Sequence, residues 1–246
     1  MWNKVVIPEV SIDIEKIALG GVLIIFTLLI LLLSETLNQE IRSAYQAKFG
    51  PTSWANVPLY SLLWGLGSGI ISGIGGYVWA DGYYFFYLCN FGAVLGYISM
   101  QALITDSSLH KVDRYLLRIG YIDTAVLTFA YLTNTYRVAS AFQIFAMPVF
   151  ITYFAFFFLF LYSKIGPSDI RAMVVFLPFV IALDMVIAIE SFIAVGVFIA
   201  IIMEVKKRRE KNPQLAVPIL PYLTIPYMIG APLLPLIIEL SRTVSL

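Results

Sequence analysis

"IALGGVLIIFTLLILLLS", residues 17–34, carries no charged side chain. As a helix rising about 1.5 Å per residue, such a run covers most of a hydrocarbon layer about 30 Å thick. Lipid offers no partner for an open backbone N–H or C=O, so a long apolar run reads as helix rather than sheet edge. Glu9, Asp13 and Glu15 precede it and no small-residue cleavage site follows. A retained membrane helix is therefore expected rather than a signal peptide.

The rest of the chain has the same character. Of 246 residues 60% are hydrophobic and 13% charged, and the mean hydropathy is +0.88. That composition predicts an all-α, polytopic helical bundle in a membrane. Eight spans are expected, near 17–34, 57–79, 83–105, 119–136, 138–163, 169–187, 189–204 and 216–240. A net charge of +1 without a long basic stripe gives no reason to expect nucleic acid. One cysteine, Cys89, and one histidine, His110, provide neither a disulfide framework nor a metal ligand set.

Lys and Arg set the orientation. With eight spans, segments 35–56, 106–118, 164–171 and 205–215 share one side and hold 12 of the 16 basic residues. The basic side is expected to be cytoplasmic, which puts both termini outside. The basic loop with His110, Lys111, Arg114 and Arg118 fits a topology anchor that attracts anionic headgroups, or a set of charges tuning a nearby carboxylate. "EVKKRREK", 204–211, reads as a cytoplasmic loop of the same kind.

Two spans carry distinctive residues. Gly65, Gly69 and Gly73 recur every four positions, beside Ser68, Ser72 and Gly76. Small residues at that spacing let helices approach closely, within one bundle or between copies of an oligomer. The last span contains Pro218, Pro221, Pro226, Pro232 and Pro235 and cannot be a straight ideal helix.

Ionisable groups at membrane depth are costly and mark candidate sites. Asp106 closes the third span and Asp169 opens the sixth, both on the basic side. Two carboxylates packed together cannot both ionise cheaply. One keeps a proton while the other activates water, which is the division of labour of an aspartic protease. The plainer alternative is that Ser168 or Asp169 is a helix N-cap and Asp106 a solvated helix exit. Asp113, in the same loop, is a rival partner, and Asp123 is expected within about one turn of the same interface. Asp184 lies about 22 Å further along a helix than Asp169, and with Glu190 belongs to the outer hairpin.

Three segments resemble the type IV prepilin leader peptidases, GxGD membrane aspartyl proteases related to the archaeal preflagellin peptidases. "TDSSLHKVDRYLLR", 105–118, is similar to the stretch around the first catalytic aspartate, with Val112-Asp113-Arg114 in place of an Ile-Pro-Asn step. "GPSDIRAM", 166–173, is similar to Gly-x-Gly-Asp-x-Lys, with Ser168 at the second small position and Arg171 for Lys. "VPILPYL", 217–223, resembles the Pro-x-Gly-Pro-Phe-Leu signature, with Leu220 at the small position.

The resemblance implies an aspartic endopeptidase that removes the short basic leader of prepilin-like or preflagellin-like proteins at the cytoplasmic face of the plasma membrane. Asp106 and Asp169 would be catalytic. Gly166 and Ser168 would allow close backbone approach, Lys111, Arg114 and Arg171 would tune the charge, and Pro218, Pro221 and Tyr222 would line a substrate cavity. Residues 83–246 would form a six-helix peptidase-like core, and residues 1–82 a two-helix extension within one integrated membrane domain. Proteolysis of this kind needs no cofactor. Some members also methylate the new N-terminus with S-adenosylmethionine, which the sequence leaves open. A non-enzymatic transporter or channel with acidic ion sites, or a silent scaffold of a pilus or secretion apparatus, is the competing expectation.

Overall fold

The computed structural model describes residues 12–79, 82–109, 111–135, 201 and 204–209. Five α-helices make up most of this: α1 (Ile14–Thr36), α2 (Gln39–Phe49), α3 (Asn56–Trp79), α4 (Gly82–Leu109) and α5 (Arg114–Thr135). A 3-10 turn, Ser53–Ala55, leads into α3. Three helical segments are long and apolar enough to cross a membrane: Ile14–Thr36, Ser53–Val78 and Phe85–Leu109. They coincide with the first three expected spans. The expected fourth span corresponds to α5, which starts at Arg114, five residues earlier than the hydropathy implies. Apart from residues 201 and 204 of the seventh, the remaining expected spans lie outside the described residues.

Each start has a local cause. Asp13 accepts a hydrogen bond from Lys16 N at 3.1 Å and caps α1, and Glu15 complements the helix dipole in the first turn. Asn38 caps α2, accepting from Ile41 N at 3.5 Å. Gly50, with φ of 102°, ends α2 in a backbone conformation that side chains disfavour.

The sequence predicts only a loop over 35–56, so α2 corrects that expectation. At 11 residues it is too short to span a bilayer. It lies instead against the end of the bundle, packing Ile41 and Tyr45 on Trp54, Val57, Ile104 and Leu109. Lys48 Nζ donates to Ser108 O at 2.5 Å, placing a cation at the carbonyl-rich end of α4. Residues 204–209 are also helical, with Arg208 Nε 2.7 Å from Glu204 Oε1, so the basic run expected as a loop begins as helix.

The centre of the described bundle is α4. In its most apolar stretch 83% of residues are buried, against 33% in α1 and 39% in α3. Leu88, Val94, Leu95 and Ile98 of α4 pack with Ile24, Leu28 and Leu31 of α1 and with Leu116 and Leu117 of α5 in one hydrophobic cluster. Outward, α1 and α3 expose Ile25, Phe26, Leu63 and Ile71. An apolar exterior of that kind suits lipid rather than water.

The glycine stripe faces inward. A Cβ at Gly65 would lie 3.1 Å from Ala93 O, and one at Gly69 would lie 3.2 Å from Cys89 O. The seam is reciprocal. A Cβ at Gly96 would lie 2.7 Å from Trp64 O, and one at Gly92 would lie 2.6 Å from Ser68 O. Small residues on both helices bring the α3 and α4 backbones together within one chain.

Candidate functional site at the basic end of the bundle

α1 ends, α3 begins, α4 ends and α5 begins at the same end of the bundle, beside α2. Polar side chains collect there because the chain must leave and re-enter the apolar layer. Several are nevertheless withdrawn from solvent.

Asp113 precedes α5 and caps it. Its Oδ1 accepts from Tyr115 N at 2.8 Å and from Leu116 N at 3.1 Å. The same oxygen accepts from Asn38 Nδ2 at 2.9 Å. Oδ2 is buried without a hydrogen-bond partner, and the residue is 0% exposed. Burial pushes the Asp113 carboxyl above its ordinary range, against the lowering pull of Asn38 and the two backbone amides.

Glu35, in the last turn of α1, takes the hydroxyl proton donor of Tyr97 on its Oε2, while its Oε1 is buried and unpartnered. One turn along α4 from Tyr97 stands Gln101, 0% exposed, with both amide atoms unpartnered. Deeper in the bundle the Thr27 hydroxyl donates to Asn90 Oδ1, and Asn90 Nδ2 donates to Asp123 Oδ2 at 2.7 Å. These two polar groups tie α1, α4 and α5 together. Partnered polar bonds inside a low-dielectric bundle specify which faces meet, because mispairing strands the groups.

Asp106 sits in the last turn of α4 at 8% exposure. It is not the solvated helix exit that its Asp-Ser-Ser context allows. The helix continues to Leu109, and the Ser107 and Ser108 hydroxyls bond back to the carbonyls of Leu103 and Ile104. Nine residues, two and a half turns, separate Tyr97 from Asp106, so they project from opposite faces of α4. Asp106 therefore points away from the face that meets Glu35, and Asp113 belongs to the Glu35 face.

The rival acids are placed by these contacts. Asp113, weighed as a substitute partner for Asp106, is engaged as a helix cap. Asp123 stands nine residues into α5, about 13–14 Å along the axis from Arg114, facing Asn90. Lys111 does not reach a buried carboxylate. Its Nζ lies 2.9 Å from Glu40 Oε1, where the ammonium holds the exposed Glu40 carboxyl below its ordinary value. Arg114 is exposed on the first turn of α5. Cys89 is buried and forms no disulfide. His110, Gly166, Ser168, Asp169, Arg171, Asp184, Glu190, Pro218, Pro221 and Tyr222 lie outside the described residues.

Glu35, Asn38, Tyr97 and Asn90 had no place in the sequence expectations. The available signal was polarity out of pattern: Glu35, Asn90 and Tyr97 interrupt apolar helices, where an unpaired polar group is expensive, and Asn38 is a capping residue type standing before a short polar helix.

No family model matches the chain, and comparison with curated proteins and with solved structures finds none that matches.

Proposed function

We propose that the chain is a multi-pass plasma-membrane aspartic endopeptidase that cleaves the basic leader of type IV prepilin-like proteins at the cytoplasmic face. Asp106 and Asp169 act as the pair: the ionised carboxylate takes a proton from water, and the protonated one donates to the scissile amide. The dyad titrates as a unit, so acid and base roles belong to the pair.

The observation that carries this reading is the burial of Asp106. Asp106 lies in the last turn of α4, where it cannot serve as the N-cap that accounts for the buried Asp113, and an ionisable side chain withdrawn from water at the end of a membrane helix is by default a candidate functional group. The order of the three motif-like segments, around Asp106, Asp169 and Pro218, supports it from the sequence side. Co-expression with a candidate prepilin tests it. Processing by the wild type and loss in Asp106→Asn is expected; normal processing by Asp106→Asn would sink it.

A second reading has its own support. The Thr27–Asn90–Asp123 group lies well inside the described bundle, and an acid at that depth is an ion or proton site by default. A non-enzymatic transporter using it would move protons or cations across liposomes, and Asp123→Asn would abolish the flux. Absence of flux in the wild type removes this alternative.

A further inference from the structure

Between the start of α2 and the start of α5 lies a cleft of about 330 Å³, lined among others by Asn38, Glu40, Lys111, Arg114, Tyr115 and Arg118. Its size is at the lower end of the range for small-ligand pockets, about 300–1,000 Å³. Three cations face one carboxylate. Glu40 is already bonded to Lys111. Among the described residues neither Arg114 nor Arg118 forms an ion pair. The cleft is therefore net positive, with two planar guanidinium groups one helical turn apart on an exposed face. Such groups match phosphate oxygens in bidentate fashion better than a point charge does.

Depth is set by the neighbours. Tyr45 lies 4.7 Å from Phe49 and 5.6 Å from Trp54, centroid to centroid, forming an aromatic group on α2 and the following turn. Aromatic residues of this kind sit at the headgroup level, where the apolar stretches of α1 and α4 also stop. A second feature points to a ligand with a tail. Arg114, Arg118, Ile122 and Val126 follow one another at four-residue spacing along α5. Ile122 is 58% and Val126 60% exposed. The exposed stripe runs from paired guanidiniums directly onto apolar side chains, the sequence of surfaces that a phospholipid presents.

We propose that this cleft binds the phosphate of an anionic glycerophospholipid, with Arg114 and Arg118 as the clamp and the acyl chain lying along Ile122 and Val126. Asn38 is a wall rather than a ligand, because both ends of its amide are engaged by Ile41 N and Asp113. The site is independent of the peptidase reading.

The test uses the full chain in nanodiscs and measures thermal unfolding and lipid retention by native mass spectrometry. Phosphatidylglycerol is compared with phosphatidylcholine. Phosphatidylglycerol should be retained by the wild type and raise its unfolding temperature. Arg114→Gln/Arg118→Gln should weaken retention roughly tenfold or more, taking about 1 kcal/mol for each basic residue near a headgroup. Arg42→Gln/Arg209→Gln removes the same charge at exposed positions outside the cleft lining and should leave retention unchanged. Equal loss in both double variants, or none in the first, overturns the site. A third arm adds glycerol phosphate to phosphatidylcholine nanodiscs. If this soluble ester reproduces the full shift and phosphatidylglycerol adds nothing, the lipid assignment is overturned.

Discussion

Asn38 and Asp113, 75 positions apart, join two helix caps: the Asn38 side chain caps α2 through its oxygen and donates its amide to the Asp113 oxygen that caps α5. The N-termini of both helices are thereby fixed to one another at the basic end of the bundle. The geometry of the cleft and the aim of α5 depend on this contact.

Asp113→Ala should destabilise the protein by about 1–2 kcal/mol, the usual range for a lost N-cap, and Asn38→Ala by a similar amount. Because the two share a bond, the double variant should cost less than the two single losses combined. Thermal unfolding of the purified protein in detergent measures all three, and strict additivity would mean that the contact carries no energy.

The pH dependence of stability follows from the direction of the Asp113 shift. Burial raises its carboxyl above the ordinary value of 3.8, so between the unfolded and folded values the folded state binds more protons. Stability from this group is full below the ordinary value and falls as pH rises through the raised one. Asp113→Asn keeps a capping oxygen without the charge. It should flatten that decline and leave the protein at least as stable at neutral pH. A variant with an unchanged pH slope would show that other groups cause it.

Tyr97→Phe removes the donor to Glu35 Oε2, whose other oxygen already lacks a partner. A buried group stranded in this way costs about 1–3 kcal/mol. Glu35→Gln, introduced alongside, should recover part of the loss in the same unfolding measurement. If Tyr97→Phe is neutral, the hydroxyl does not hold α1 to α4.

Gly96→Ala should destabilise the α3–α4 seam by about 1–3 kcal/mol, because the new methyl meets the Trp64 carbonyl. Gly67→Ala, on α3, the other helix of the seam, but with nothing within 4 Å of its added Cβ, should be neutral or stabilising by up to about 1 kcal/mol. Equal effects at the two sites would remove the close-packing account of the glycine stripe.

Long apolar runs made α1, α3 and α4 legible, since nothing but a helix satisfies the backbone over such a length in lipid. α2 was not, because it is short and polar and its signals are local: Asn38 before it, Glu40 in its first turn, Lys48 in its last, Gly50 after it. Asp106 was legible as a candidate by its position at a helix end, but its burial was not, because a carboxylate before two serines looks like a solvated exit. The Glu35–Tyr97 and Asn90–Asp123 pairs join positions 62 and 33 apart. Which polar interruptions find one another depends on how the helices rotate in the bundle, and periodicity alone does not set that. The hydropathy onset at residue 119 missed the true start of α5 at Arg114, because the basic first turns of the helix read as loop.

Cleavage of a synthetic prepilin-like leader peptide by the purified, reconstituted chain, read by mass spectrometry of the products, tests the proposed peptidase activity most directly. Wild type and Asp113→Asn should both cut at the leader boundary, since Asp113 caps α5 on the face away from Asp106. Asp106→Asn and Asp169→Asn should each reduce the rate to background. Cleavage at the wild-type rate by either of those two variants would contradict the dyad.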